Sequence, residues 1–353
     1  MPTRRRTLRR NRRTDALERR VAGGLGALAG GEAGDSARVV VACSGGADSL
    51  ATLVAVSRTL GAQCVTAAHF DHRLRAASEV AGERALVREV AGLLGVGFVD
   101  GRAAREPGSR GEEAAREARY RWLARVCTSA GVEVCVTGHT LDDQAETVLL
   151  RLARGTSASG ASGMSPKSGW PVSAPGSRSL RLVRPLLDVT RVDVEDYVDA
   201  LGLPALGLVP AQDPSNASLE YARNRVRLRV VRELRQVNAR AVEHLARFAE
   251  EQREDDEVLA AVARTWLDQH SRVVAGGVEV DRVALRRAAR AVARRAVWLA
   301  GRRLGIALEA SHIGAILNSA GRSGARVDLP LAYSETRATV LTLRERPSPP
   351  GAD

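Results

Sequence analysis

The residues best suited to chemistry stand in one short run, Ser44-Gly45-Gly46-Ala47-Asp48-Ser49, directly after the apolar stretch Val39-Val40-Val41-Ala42. A buried strand, a glycine turn and then a helix make an anion site. The glycines let the backbone bend with its N–H groups turned inward, and the helix adds unpaired N–H groups and the positive end of its dipole. Phosphate binding is the chemistry such a cradle serves. No Lys-Ser/Thr pair follows the glycines, which excludes the common P-loop, and the spacing is not that of a dinucleotide fingerprint. Asp48 adds a carboxylate placed to face a metal ion beside the phosphates.

A second run, Gly138-His139-Thr140-Leu141-Asp142-Asp143-Gln144-Ala145-Glu146-Thr147, opens a helix. Asp142 or Asp143 near a helix N-terminus is favourable for the dipole alone. Asp143 and Glu146 lie three apart and share a face. With Asp48 they could hold Mg²⁺ against phosphates, and His139 could move a proton or steady a phosphate. His69-Phe70-Asp71-His72-Arg73-Leu74-Arg75 has poor spacing for zinc and no cysteine. It is either a phosphate or adenine contact or a satisfied structural turn. Arg116 and Arg119 share a helix face and form either an anion clamp or a solvated, salt-bridged surface. Asp213-Pro214-Ser215-Asn216 is a turn signal leading to Arg223-Asn224-Arg225-Val226-Arg227. There, Arg223 and Arg227 suit a phosphate-tracking stripe or an exposed basic helix.

The elements that must position these residues alternate. Val-rich runs at 38–43, 64–69, 96–100 and 134–138 predict strands, and 49–60, 77–94 and 112–130 predict helices. That alternation implies an α/β fold with a doubly wound parallel sheet, in which ligands bind beyond the carboxyl ends of the strands. Three polar clusters (44–49, 69–75 and 138–146) fall there. Residues 155–180, rich in Gly, Ser and Pro, predict a long loop, followed by a strand over 181–187 and a helix over 192–201. The pattern then changes to a long helix over 240–267, a hairpin around Gly276-Gly277, helices over 284–304 and 309–318, and strands over 325–329 and 339–343. This is a smaller α+β unit. The expected division is a flexible Arg-rich extension over 1–35, the doubly wound domain over 36–238, the smaller α+β unit over 239–345 and a frayed tail over 346–353.

Composition narrows the function classes. The net charge is +12, and net +7 of it lies in residues 1–20, an arm expected to be disordered and able to touch phosphates. Lys167 is the sole lysine, so the abundance of arginine carries little meaning by itself. Cys43, Cys64, Cys127 and Cys135 form no C-x-x-C and predict buried free thiols in a reducing, cytoplasmic protein. No apolar run approaches the length of a membrane span.

The 44–49 loop resembles the SGGxDS loop of the N-type ATP pyrophosphatases, the PP-loop enzymes. The ordered set of further segments is similar to the bacterial tRNA(Ile)-lysidine synthases: 69–75, 113–120, 138–152, Arg184-Pro185-Leu186-Leu187, 213–216, Arg223-Asn224-Arg225 and 324–330. The resemblance covers about residues 36–345. It implies a Rossmann-like catalytic domain and a ligase that uses Mg²⁺ and ATP to adenylate the C2 oxygen of the wobble cytidine in a CAU-anticodon tRNA(Ile). L-lysine then displaces AMP, and the codon read changes from AUG to AUA. Ser44, Gly45, Gly46, Ala47, Asp48, Ser49, His69 and Gly138 would bind ATP, and Asp48 and Asp143 the metal. Asp48, Arg119, His139, Asp143 and Glu146 would form the catalytic centre. Arg116, Arg223, Asn224 and Arg227 would contact substrate or tRNA.

Family members are commonly homodimers. Arg73 stands where the family usually has glycine and Ala239 where it usually has proline, and the chain ends early relative to longer members, so recognition of the acceptor stem is expected to be reduced or done differently. A tRNA 2-thiolation enzyme would mostly need paired cysteines or a persulfide carrier. A silent RNA-binding relative would carry a damaged nucleotide loop. The four scattered cysteines argue against the first and the intact 44–49 loop against the second.

Overall fold

A computed structural model describes residues 7–28, 38–73, 77–104, 111–212, 217–330 and 332–345. Leu74 and Arg75, the 213–216 turn and the 346–353 tail lie outside the described residues. The chain divides into two compact units. One holds residues 1–154 and 163–248, the other 155–162 and 249–353.

In the first unit the order is α1 (Arg12–Leu28), β1 (Val39–Ala42), α2 (Ala47–Leu60), β2 (Val65–Asp71), α3 (Ala77–Leu94), β3 (Gly97–Arg102) and α4 (Gly111–Ala130). Then come β4 (Val134–Thr137), α5 (Leu141–Ala153), β5 (Lys167–Gly169), β6 (Arg181–Val183) and α7 (Arg191–Leu201), with α6 (Ala158–Ala161) assigned to the other unit. The sheet order is β3-β2-β1-β4-β6-β5, parallel except for β5, which pairs antiparallel with β6. Alternation along β1 divides its side chains between two cores. Val39 and Val41 pack on one side with α1, α2 and α7, while Val40 packs with Tyr120, Leu123 and Leu182 on the other. β1 lies centrally, in register with Val65 of β2 and Val134 of β4. The carboxyl ends of β1 and β4 are therefore neighbours.

The Arg-rich extension is a correction. Within the expected flexible 1–35 segment, Arg12–Leu28 is a helix. Asn11 caps it, accepting from the N–H groups of Arg13 and Thr14. Leu17, Val21 and Leu25, four apart, are buried in the main core. Glu18 pairs with Arg58 at 2.6 Å and accepts from the Tyr197 hydroxyl. The arginines occupy the outer face. Charge density suggested disorder, but the i, i+4, i+8 apolar stripe decides the structure.

In the first unit the chain continues through α8 (Ala222–Arg225), a π-turn over Val226–Val230 and α9 (Val231–Val237), and α10 (Ala241–His270) passes into the second unit. There β7 (Ser271–Val274), β8 (Gly277–Asp281), α11 (Arg282–Arg287), α12 (Arg290–Arg303), α13 (Ala310–Ser319), β9 (Arg326–Asp328), β10 (Ala332–Thr336) and β11 (Val340–Glu345) follow. The sheet is antiparallel, ordered β7-β8-β11-β10-β9, over a core that includes Leu267, Val280, Ile316 and Leu341. The single helix expected over 284–304 is two, because Ala288 and Ala289 adopt extended ψ values of 146° and 134°. Among the described residues no helix is long and apolar enough to cross a membrane.

Candidate active site

Two strand ends build the site. β1 leads into the 44–46 loop, where Gly45 adopts φ +94°, a conformation strained for any side chain. Gly46 precedes α2 and supplies no side-chain cap, so the first N–H groups of α2 stay open. Ser49 Oγ sits inside the loop, accepting from the N–H groups of Ser44 and Gly45 at 3.2 Å each and donating to Gly46 O. The loop is thus held in an anion-receiving shape by its own serine. Ala47 begins α2. Gly138, at the end of β4, is glycine for packing: a Cβ there would stand 2.6 Å from Asp48 O. The two strand ends can meet only with no side chain at this position.

Thr140 caps α5, and Asp143 completes the box, its Oδ2 accepting from Thr140 N–H at 2.9 Å. Asp143 Oδ1 then accepts from Arg223 at 2.9 Å and Arg191 at 3.2 Å. Glu146 Oε2 accepts from Arg223 Nε at 2.8 Å, while its Oε1 lies 3.8 Å from Arg191 and 3.9 Å from Arg227. Asp48 Oδ2 is 3.8 Å from Arg191 Nε, and Asp48 Oδ1 is buried with no hydrogen-bond partner. Asp142, which spacing alone could not separate from Asp143, has a different task. It accepts from Arg191 N–H at 2.8 Å and from Arg235 at 2.7 Å, locking α7 and α9 to α5.

Electrostatics divides the acids further. Burial lifts Asp48 to about 6, with Arg191 opposing. Burial also raises Glu146, against Arg223. At Asp143 burial pushes upward too, but Arg223, Arg191, His139 and the Thr140 N–H outweigh it and hold the group below its ordinary value. His139 is depressed to about 3, chiefly by burial. Asp143 pulls the other way, while Arg184, Arg119 and Arg223 add to the depression. Its ring is neutral at physiological pH, with Nδ1 2.9 Å from Thr137 Oγ1.

The other predicted residues take varied places. His69 is on β2, 2% exposed, with Nδ1 3.0 Å from Cys43 O. That contact braces the backbone entering the loop, while Nε2 of the ring is buried with no hydrogen-bond partner. Asn224 is buried and donates to Ser218 O at 2.8 Å. Arg223 and Arg227 do not form an outward stripe, because both turn toward Glu146. Arg73 keeps a glycine-like φ of +58° despite its side chain, with its N–H on Asp71 Oδ1. Arg116 and Arg119 of α4 both lie over the Tyr120 ring, and Arg119 faces His139.

Arg191 went unread in the sequence although it touches all three acids of the site. The available signal was its position, since a cation in the first turn of a helix opposes the dipole and asks for a reason. All four cysteines are buried and free, and burial pushes the Cys43 thiol up to about 11. It is thus an inert group.

Comparison with known proteins fits this geometry. A family model described as a PP-loop domain matches residues 25–234. A tRNA(Ile)-lysidine synthase of Salinispora tropica is 41% identical over 294 residues, covering 80% of this chain and 82% of that one. A tRNA(Ile)-lysidine synthase of Geobacter sulfurreducens is 36% identical over 274 residues, 73% of this chain. The chain spans about half of that relative, 53% of its length. Among solved structures, the U34-tRNA thiolase NcsA from Methanococcus maripaludis, with its [4Fe-4S] cluster, superposes with a TM-score of 0.51 at 15% identity. That match covers 67% of this chain and 79% of the other, a likeness of fold alone.

Proposed function

The chain belongs to the PP-loop family and, within it, to the tRNA(Ile)-lysidine synthases, and from that membership we propose that it ligates L-lysine to C2 of the wobble cytidine of a CAU-anticodon tRNA(Ile). The observation that carries this reading is the meeting of an uncapped helix N-terminus with Asp48, Asp143 and Glu146 at two adjacent strand ends. A triphosphate cradle and an acidic place for an amine then adjoin each other.

ATP would lie with its phosphates on 44–49. Attack of the cytidine C2 oxygen on the α-phosphate releases pyrophosphate and turns a poor leaving group into AMP. The ε-amine of lysine then attacks C2, AMP departs, and the amine loses a proton. Asp143, kept ionised, suits the incoming ammonium. Glu146, raised by burial, suits proton removal. Arg223, whose side chain is about a third exposed, covers Glu146, and its withdrawal would open that carboxylate to the amine. Arg119 and Arg116 suit the adenylate phosphate, and neutral His139 is left to hydrogen bonding rather than charge pairing.

Mg²⁺ fits at Asp48, where Oδ1 is buried and unpartnered, since Mg²⁺ on a nucleotide needs only one or two carboxylates beside the phosphates. Asp143 fits less well, because its oxygens are committed to Thr140, Arg191 and Arg223. Among the described residues no group of three or more His, Cys, Asp or Glu could hold a metal by itself. When bound, the ion would neutralise phosphate charge.

The test is incorporation of labelled L-lysine into unmodified CAU-anticodon tRNA(Ile) with Mg·ATP, using the methionine CAU tRNA as control. Label in the first RNA alone supports the proposal. Absence of label in both removes it.

A further inference from the structure

The helix that carries Arg223 breaks its own period. α8, the π-turn over Val226–Val230 and α9 run on as one helix, since Arg225, Val226, Val230 and Val231 all keep right-handed helical angles. A turn that closes i→i+5 holds one residue more than a turn that closes i→i+4. Arg223 and Arg235 are twelve positions apart. In a plain α-helix they would point about 120° apart, whereas with one residue taken up they come within about 20°.

The contacts with α5 follow that shifted register. Arg235 lies 2.7 Å from Asp142, and Arg223 lies 2.9 Å from Asp143 and 2.8 Å from Glu146. Val226 and Val231 both pack with Leu141 and Ala145 of α5. Five positions apart, they would diverge by about 140° in a plain α-helix. Leu228, within the π-turn, is 40% exposed.

The two halves of the helix are held differently. The second is anchored on α5 by buried Val231 and by Arg235 on buried Asp142. In the first, Asn224 and Arg225 donate to the carbonyls of Ser218, Leu219 and Glu220, which joins that half to the turn before it. It meets α5 through Arg223 and partly buried Val226.

We propose that the extra residue makes the first half a gate over the amine site. Reversion to α geometry turns Arg223 about 100° away from Asp143 and Glu146, Arg235 stays on Asp142, and the ε-ammonium of lysine takes the place of the guanidinium. One cation leaves two buried carboxylates as another arrives, so neither is stranded without a partner. The proposal rests on the lysine site proposed above.

The test is calorimetric binding of L-lysine to the full chain, comparing wild type, Arg223→Gln, deletion of Leu228, and the two changes combined. Arg223→Gln removes the cover and should tighten lysine binding about tenfold. Deletion of Leu228 leaves a plain α-helix in which Arg223 and Arg235 still face α5, but with no spare residue to release. The cover is then fixed, and affinity should fall about tenfold. In the Arg223→Gln background the same deletion should cost nothing, because there is no guanidinium to fix, whereas a merely structural effect would persist. Mg·ATP affinity of the deletion variant should match wild type and controls for folding. If that variant does not fold, amide hydrogen exchange in wild type decides, since saturating L-lysine should alter exchange across residues 223–230. Wild-type lysine affinity after the deletion, an equal loss in both backgrounds, or exchange unmoved by lysine overturns the proposal. If the affinities move as stated but wild-type protein incorporates no lysine into tRNA, the gate stands and the ligase assignment fails.

Discussion

Asparagine in place of Asp48 should make the nucleotide-free protein more stable while abolishing adenylation. Asp48 titrates near 6 instead of 3.8, because burial disfavours its charge more than Arg191 restores it. An acid whose pKa rises on folding contributes fully below its unfolded value and loses that contribution as pH climbs through the folded one. The difference of about two units, at ~1.4 kcal/mol each, amounts to about 3 kcal/mol at neutral pH. The dipole of α2 favours the ionised form by roughly 0.5 kcal/mol, too little to reverse the sign. Asp48→Asn should therefore exceed wild type by about 2–3 kcal/mol near pH 8, and the gap should close near pH 4. Urea unfolding across that range measures it. Mg²⁺ should stabilise wild type and leave the variant unmoved. A variant less stable than wild type at high pH, or a gap independent of pH, would refute the claim that this carboxylate is held charged at a cost.

Other perturbations follow from the same geometry. Arg73→Gly relieves a left-handed backbone and should raise stability by about 1 kcal/mol in thermal unfolding. Leu17→Ala, in the N-terminal helix, should cost about 2–5 kcal/mol, whereas loss of a flexible arm would cost nothing measurable. Gly138→Ala forces a Cβ against Asp48 O and should destabilise by about 1–3 kcal/mol and reduce turnover at least about tenfold, measured by lysine incorporation. Arg191→Met leaves three acids short of a cation and should lower stability by about 3 kcal/mol, less so below pH 5, as read from denaturant midpoints.

The sequence made the strand ends legible because chemistry there is local. Gly45, Gly46 and Asp48 are adjacent, and Asp143 and Glu146 are one helical turn apart. Val39-Val40-Val41 marked a strand buried on both faces, and β1 is central. What stayed hidden depends on long-range pairing. Arg191 is named by its contacts with three acids from two other elements. Arg223 looked outward until Asp143 and Glu146 were placed opposite it. β5 escaped because Lys167-Ser168-Gly169 has no strand propensity and is held by β6. The N-terminal helix escaped because its arginines outnumber the three apolar residues that bury it.

The most direct measurement uses ATP labelled at the α-phosphate, with lysine left out. The account predicts that label moves onto CAU-anticodon tRNA(Ile), not onto the methionine CAU tRNA, and that adding L-lysine releases it as AMP while the RNA gains lysine. Lysine incorporation with no labelled RNA intermediate, or label transfer that lysine cannot discharge, would contradict it.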